Sequence, residues 1–436
     1  MNEPSKRPLS RDPYKGTRYF YPEDMARLKW LFQKMRETCE SYGYVEYTAS
    51  PLESTELYAA KSGEEIVNEQ TYSFIDRGGR NVTLRPEMTP TVARMVAARR
   101  RELPFPLRWY SIPNLFRYEQ PQRGRLREHY QLNVDIFGVK GLQGEVEVIS
   151  LGHSLLLNLG ASEENFVIKI NNRLAFQTLT TYWGLSENTS HKLAKLIDKK
   201  AKLPVETFRQ ELSTVVPEQF SLISKLLDTK TLKEFRNHLP EALKDHQAWA
   251  DIETVMSELK NTGITNAVFD PTLMRGFDYY TGIVFEFFDT DPSNSRSLFG
   301  GGRYDELLAI FDEEVVPAIG FGMGDVTAID FLETHKLLTP YVSPVTLYLC
   351  KTEATFTPFA TQLATQLRAA GITVAVDLST KKLGDQIKTA DKQHIPFIIC
   401  IGEEEVNTNS FTLKELSSGK ETKGDIKKLI AHLLKK

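Results

Sequence analysis

Cysteine is scarce in this chain. The 436 residues hold three, Cys39, Cys350 and Cys400, far apart and each in an apolar, periodic segment. Such spacing offers neither a disulfide framework nor a metal-ligand pattern, and it suits reduced core thiols in a cytoplasmic protein. Long hydrophobic runs are also missing. No stretch approaches the ~18 apolar residues of a membrane span, and the polar, proline-containing start from Met1 to Tyr14 does not read as a secretory signal. Nor is there a strong charge of one sign: 54 Lys and Arg stand against 57 Asp and Glu, a net charge of −3. That excludes bulk polyanion binding but hides an asymmetry. Residues 341–436 hold 13 basic and 10 acidic side chains, so the tail is weakly basic, as nucleic-acid binding allows without requiring. Internal repeats and low-complexity segments are absent.

What is present is ordinary globular composition, 41% hydrophobic and 25% charged, enough for a sizeable core. Residues 22–42 form an amphipathic helix, with Pro22 in its first turn and Met25, Leu28, Leu31, Met35 and Cys39 at helical spacing. Tyr44 to Leu52 reads as a strand. Two runs, Tyr72–Asp76 and Asn81–Leu84, flank Arg77-Gly-Gly-Arg80 as a hairpin. A helix over 89–101 is followed by strands at 107–112, 114–119 and 128–138. Long strands with few helices between them argue for an antiparallel sheet rather than a doubly wound parallel one. After a helix at 145–158 and a strand at 166–170, residues 173–260 are helical and rich in Lys, Glu and Leu. Sheet patterning resumes at Ala267, with strands expected at 279–288 and 297–301 and a helix from Gly324. An all-helical block between two β-rich blocks predicts an insertion into one sheet domain. Pro340 and Pro344 mark a linker. Beyond it, strand and helix alternate from Val345 to Ile401 as a compact α/β unit with apolar, buried strands.

Five constellations carry chemistry. In Phe116-Arg-Tyr-Glu-Gln-Pro-Gln-Arg-Gly-Arg-Leu-Arg-Glu128, spacing two would put Arg117 and Glu119 on one strand face. A phosphate for the guanidinium and a base amine for the carboxylate would satisfy both, although an ordinary ion-pair cluster on a hairpin is the plainer reading. Asp270 to Gly282 packs Arg275, Asp278, Tyr279 and Tyr280 into a polar-aromatic cluster that fits either a buried polar ligand or a structural turn. Leu298-Phe-Gly-Gly-Gly-Arg-Tyr-Asp305 permits close backbone approach to a ligand, as any glycine turn does. Leu84-Arg-Pro-Glu-Met-Thr89 opens a helix, where Glu87 and Thr89 read most simply as caps and otherwise as a site for an ammonium group. Gln131, Asn133 and Asp135 share one face of a strand, and three inward polar residues imply a wet or ligand-filled cavity.

Taken in this order, these segments resemble the histidyl-tRNA synthetase family of class II aminoacyl-tRNA synthetases over nearly the whole chain. Lys15-Gly-Thr-Arg18 and Pro22-Glu-Asp-Met25 look like the family's entry segment, Tyr44 to Glu53 like motif 1, and Phe116 to Gly138 like motif 2. Leu84 to Thr89 is similar to its Arg-Pro-Glu-x-Thr, and Arg275-Gly-Phe-Asp-Tyr-Tyr-Thr-Gly282 to its most specific signature. The segments Leu367-Arg-Ala-Ala-Gly-Ile372 and Lys382 to Ala390 resemble its anticodon-binding domain.

The resemblance implies an α+β fold. A class II antiparallel-sheet catalytic domain would span 1–172 and 262–335, with a helical insertion at 173–261 and an anticodon-binding α/β domain at 344–436. It implies ATP-dependent formation of histidyl-adenylate, with Mg²⁺, and transfer to tRNA(His) by a cytoplasmic homodimer that has no membrane association. Arg117 would bind the α-phosphate and the histidine carboxylate, with Arg275 across from it. Glu119 would accept from the adenine amine, and Arg125 would reach the outer phosphates. Glu87, Thr89 and Gln131 would hold the α-amino group, with Met88 beside them. Asp135 and Tyr280 would bond the imidazole, and Tyr279 and Tyr304 would complete the pocket. No resident protein metal site is expected. Two departures stand out. Val326 and Thr327 occupy the places where motif 3 usually ends Glu-Arg, and Gln120 replaces a common arginine. A catalytically silent paralogue, the regulatory subunit of ATP phosphoribosyltransferase, shares the sheet domain but usually lacks the Arg275-type signature and the C-terminal domain.

Overall fold

The computed structural model describes residues 10–59, 70–274, 280–294 and 296–435. Its residues fall into two compact units that divide between Leu338 and Thr339.

The first unit is built on a nine-stranded sheet, with β1 at Val45–Glu46, β5 at Leu107–Ser111, β6 at Asn114–Phe116, β7 at Glu128–Phe137, β8 at Phe166–Asn172, β9 at Ala267–Phe269, β10 at Ile283–Asp289, β11 at Ser297–Arg303 and β12 at Ala318–Gly324. A separate three-stranded sheet holds β2 (Leu52–Ser54), β3 (Tyr72–Ile75) and β4 (Asn81–Leu84). The large sheet runs β1-β5-β7-β12-β11-β10-β8-β9, with β6 beside β7. Its interior pairings are antiparallel, as expected, and the two outermost pairings, β1 with β5 and β8 with β9, are parallel. The long helices Pro22–Ser41 and Gln143–Asn158 carry Leu31, Met35, Val148 and Leu155 into the main core against β7, β10 and β12. That leaves the opposite side of the central strands available to polar groups. Six helices lie between β8 and β9, from Arg173–Tyr182 to Gln247–Asn261, and the two strands on either side of this block are sheet neighbours.

Three expectations needed correction. The run from Tyr44 to Leu52 is not one strand: β1 covers two residues, the chain leaves the large sheet, and β2 joins the small one. Regular pairing of β6 stops at Phe116, so Arg117 and Glu119 lie beyond it. The amide of Glu119 donates to the carbonyl of Arg117 at 2.8 Å, a tight local turn incompatible with an extended ladder. The strand expected from Tyr279 begins at Ile283, and residues 275–279, with Arg275 and Tyr279, lie outside the described residues.

The second unit contains β13 (Leu347–Lys351), β14 (Val374–Val376), β15 (Phe397–Ile401), β16 (Phe411–Glu415) and β17 (Glu421–Gly424). The first three are parallel and the last two antiparallel, in the order β14-β13-β15-β16-β17. Leu347, Leu349, Ile399 and Ile401 pack with Ala360, Leu363 and Leu367 of the Thr357–Ala369 helix into a core of its own.

Candidate active site

Three polar residues on β7 set the site. Gln131, Asn133 and Asp135 point to one side of the strand, and in the ladder their partners on β12 are Gly324, Gly322 and Gly320. The next strand repeats the device, with Gly302 opposite Gly320 and Gly300 opposite Gly322. The floor beside the polar residues is therefore bare backbone. Each gap fits a particular neighbour. A Cβ on Gly322 would sit 2.9 Å from Gln131 Cδ, one on Gly302 would sit 2.8 Å from Tyr280 Cδ1, and one on Gly320 would collide with Val134 O and Asp135 Oδ1. The glycines keep a trough open for the side chains that line it.

The trough becomes a cleft of about 440 Å³. Glu87, Thr89, Arg117, Gln131, Asp135, Tyr280 and Tyr304 all line it, although they come from five separate stretches of chain. Seven of the twelve residues singled out from sequence thus meet in one place. Met88 is wholly buried at the start of the Thr89–Arg99 helix and lines no part of the cleft. The N-cap position of that helix is Met88, without a side-chain hydrogen bond, so neither Glu87 nor Thr89 occupies the cap position that the sequence offered them. The Arg85 of the same segment is structural. It is buried and donates to Ala49 O at 2.6 Å and to Asn114 O at 3.0 Å, which fixes the turn that presents Glu87.

Asp135 is the cleft's most perturbed group. Burial pushes its carboxyl up to about 7, and among the described residues only the hydroxyl of Tyr304, which donates to Oδ1, opposes the shift. A buried carboxylate with so little support is suited to a ligand that brings an N–H donor. At the cleft's other end Arg117 donates through Nε to Pro86 O at 2.9 Å, while its backbone is held by Arg127 O. Glu119, largely buried, pairs with Arg125 at 3.5 Å, and Arg125 itself is more than half exposed. Arg123 reaches Asp330 at 2.8 Å. A fixed, an adaptable and a distal cation thus follow one another along the hairpin, which suits a polyanionic ligand.

Known proteins resemble the chain over most of its length. The family model described as histidyl-tRNA synthetase matches residues 16–328, and a histidine–tRNA ligase of Leptospira biflexa is 44% identical over 94% of each chain. The chain belongs to the histidyl-tRNA synthetase family. A histidine–tRNA ligase of Thermoplasma volcanium is 35% identical over 94% of this chain and 96% of its own. Among solved structures, histidyl-tRNA synthetase from Nostoc sp. PCC 7120 shares the fold, with a TM-score of 0.82 at 24% identity, covering 98% of this chain and all of its own. A Bacillus halodurans C protein, titled as an ATP phosphoribosyltransferase regulatory subunit/histidyl-tRNA synthetase, has a TM-score of 0.74 at 26% identity, covering 88% and 97%. Residues 342–436 match the anticodon binding domain model.

For this histidyl-tRNA synthetase family member, the β12 glycines are site elements that the sequence patterns above do not single out. A signal was available: Gly320-x-Gly322-x-Gly324 alternates with period two, as Gln131-x-Asn133-x-Asp135 does.

Proposed function

We propose that the chain is a histidine–tRNA ligase that activates L-histidine with ATP and passes it to the 3′ end of tRNA(His). In the first step a carboxylate oxygen of histidine attacks the α-phosphorus of ATP and pyrophosphate leaves. In the second a terminal ribose hydroxyl attacks the acyl carbon and AMP leaves. The carboxylate is already ionised, so activation needs no protein nucleophile. Position and electrostatics carry it. Arg117 would meet both the α-phosphate and the histidine carboxylate, with Arg275 facing it. Arg125 would release Glu119 to the adenine amine and turn to the outer phosphates. Mg²⁺ would arrive on the triphosphate, since this cation usually combines substrate phosphates with one or two carboxylates. Glu87, Thr89 and Gln131 would take the ammonium group.

The observation that carries this reading is the Asp135–Tyr304 pair at the closed end of a polar cleft, with Arg117 at the open end. An imidazole supplies one N–H to Asp135 and one acceptor to Tyr280. A side chain of similar size without them would strand buried polar groups, at ~1–3 kcal/mol each. Three further assignments complete the reading: residues 173–261 as an insertion that serves the tRNA acceptor arm, the second unit as the anticodon binder, and a cytoplasmic C2 homodimer. For the dimer, β1 lies at the sheet's edge with Val45 exposed. The deciding experiment is histidine-dependent ATP–pyrophosphate exchange, expected in the purified chain and absent with other amino acids. No exchange from a folded preparation would end the proposal. Arg275→Ala should lower exchange by at least about a hundredfold with the fold intact.

A further inference from the structure

The helix Asp325–Thr334 opens with Asp325, Val326 and Thr327, so its first turn brings no cation. Thr327 turns its hydroxyl inward, to Leu298 O at 2.8 Å and Gly324 O at 3.1 Å. A cation reaches this spot from the far end of the sequence. Arg18 places Nη2 2.8 Å from Asp325 Oδ2, and the other oxygen of that wholly buried carboxylate accepts from the Tyr130 amide at 2.9 Å. The segment carrying Arg18 is locked in place. Gly16 O accepts from the Arg127 amide at 2.8 Å, and Gly16 adopts φ +86° so close to Arg127 that a Cβ would lie 2.7 Å from its Cγ.

Arg18 also neighbours the proposed nucleotide site. Burial, and after it the charges of Arg117 and Arg18, lower the His129 ring to about 3 and keep it neutral. A Cβ on Gly324 would stand 3.9 Å from His129 Cδ2, so His129 faces the start of the same helix. Gly324 pairs with the cleft residue Gln131, and Asp325 follows it in the chain, so Arg18 sits just beyond this end of the cleft. About a quarter of the Arg18 side chain remains exposed.

We propose that Arg18 is a nucleotide-binding residue whose guanidinium plane lies against the purine of ATP. The proposal rests on reading Arg117 and Glu119 as the ATP site, and it adds the residue that meets the base. Arg18 is already ion-paired with Asp325 along one edge, so it has little net charge to give a phosphate. One face of its guanidinium already lies over the Phe20 ring, 4.8 Å from the centroid, so the base would take the opposite face, and guanidinium over an aromatic ring is favourable where water is partly excluded. Lysine offers the charge without the plane.

The test is steady-state exchange with the full chain and the variants Arg18→Ala and Arg18→Lys. With Arg18→Ala, the KM for ATP and the inhibition constant of adenosine, which has a base but no phosphates, should both rise about tenfold. The KM values for pyrophosphate and histidine should stay within about twofold. Arg18→Lys should fail to restore adenosine binding, because a purely structural partner for Asp325 needs only the charge. Unchanged adenosine inhibition, full rescue by lysine, or an equal rise in the KM for pyrophosphate would each overturn the proposal. Should Arg18→Ala not fold, Arg18→Lys decides by the same readings. Absence of exchange in the unaltered chain is a different failure, that of the ATP reading itself.

Discussion

At the residue scale, Asp135 carries the clearest consequence. Its carboxyl titrates near 7 in the folded chain, far above an ordinary aspartate, because it is buried with one hydroxyl for support. Between pH ~4 and ~7 the unfolded chain has lost this proton while the folded chain keeps it, so stability falls as pH rises through that window. Above it the cost is complete, at most on the order of 4 kcal/mol. Asp135→Asn removes the titration. The variant should be more stable than wild type at pH 8 and gain little at pH 4.5, and its KM for histidine in exchange should rise at least about a hundredfold. Thermal melts across this range check the first part, and a pH-independent difference would show that Asp135 is not buried as a lone acid. The position itself was legible from sequence. Gln131, Asn133 and Asp135 alternate with the apolar Leu132, Val134 and Ile136, and such alternation can only put three polar groups inward together. What sequence could not give was the coupling to Tyr304, because a contact across 169 positions has no local signal.

At the scale of elements, the legible parts were those with strong period. The first helix, the β3–β4 hairpin and the six-helix block all follow from spacing of apolar residues and from turn glycines. Errors fell where tertiary pairing decides. Nothing in Tyr44 to Leu52 announces that the chain changes sheets midway, and β16 and β17 escaped notice because their mixed polar and apolar residues lie on antiparallel strands at the end of a sheet. The β12 glycines allow a test that separates folding from binding. In Gly320→Ala the new methyl meets a neighbouring strand's backbone at Val134 O, which cannot move without opening the ladder, so a loss of ~2 kcal/mol or more is expected. In Gly322→Ala it meets the end of the Gln131 side chain, which can change rotamer. That variant should keep its melting temperature within a few degrees and raise the KM for histidine about tenfold, because Gln131 would no longer reach the ammonium group. Equal losses of stability in the two variants would mean that the trough is merely packing.

At the scale of the molecule, the proposed chemistry and the proposed anticodon recognition fall on units with separate cores. All the described residues that line the cleft belong to the first unit, and the second closes its own hydrophobic layer around Leu347, Leu349 and Ile399. Adenylate formation involves only small molecules, so it should survive removal of the second unit. Charging of tRNA should not, since a tethered second binding module raises the local concentration of the nucleic acid at the first, and its loss commonly costs a factor of ~10² or more. A chain ending at Leu338 is therefore expected to catalyse histidine-dependent exchange with KM values within about threefold of the full chain. Its kcat/KM for tRNA should fall at least about a hundredfold, while kcat at saturating tRNA falls far less. The split between the two constants is the informative reading. A uniform fall in both exchange and charging would mean that the first unit needs the second to fold, and charging within threefold of normal would remove the second unit from tRNA binding altogether.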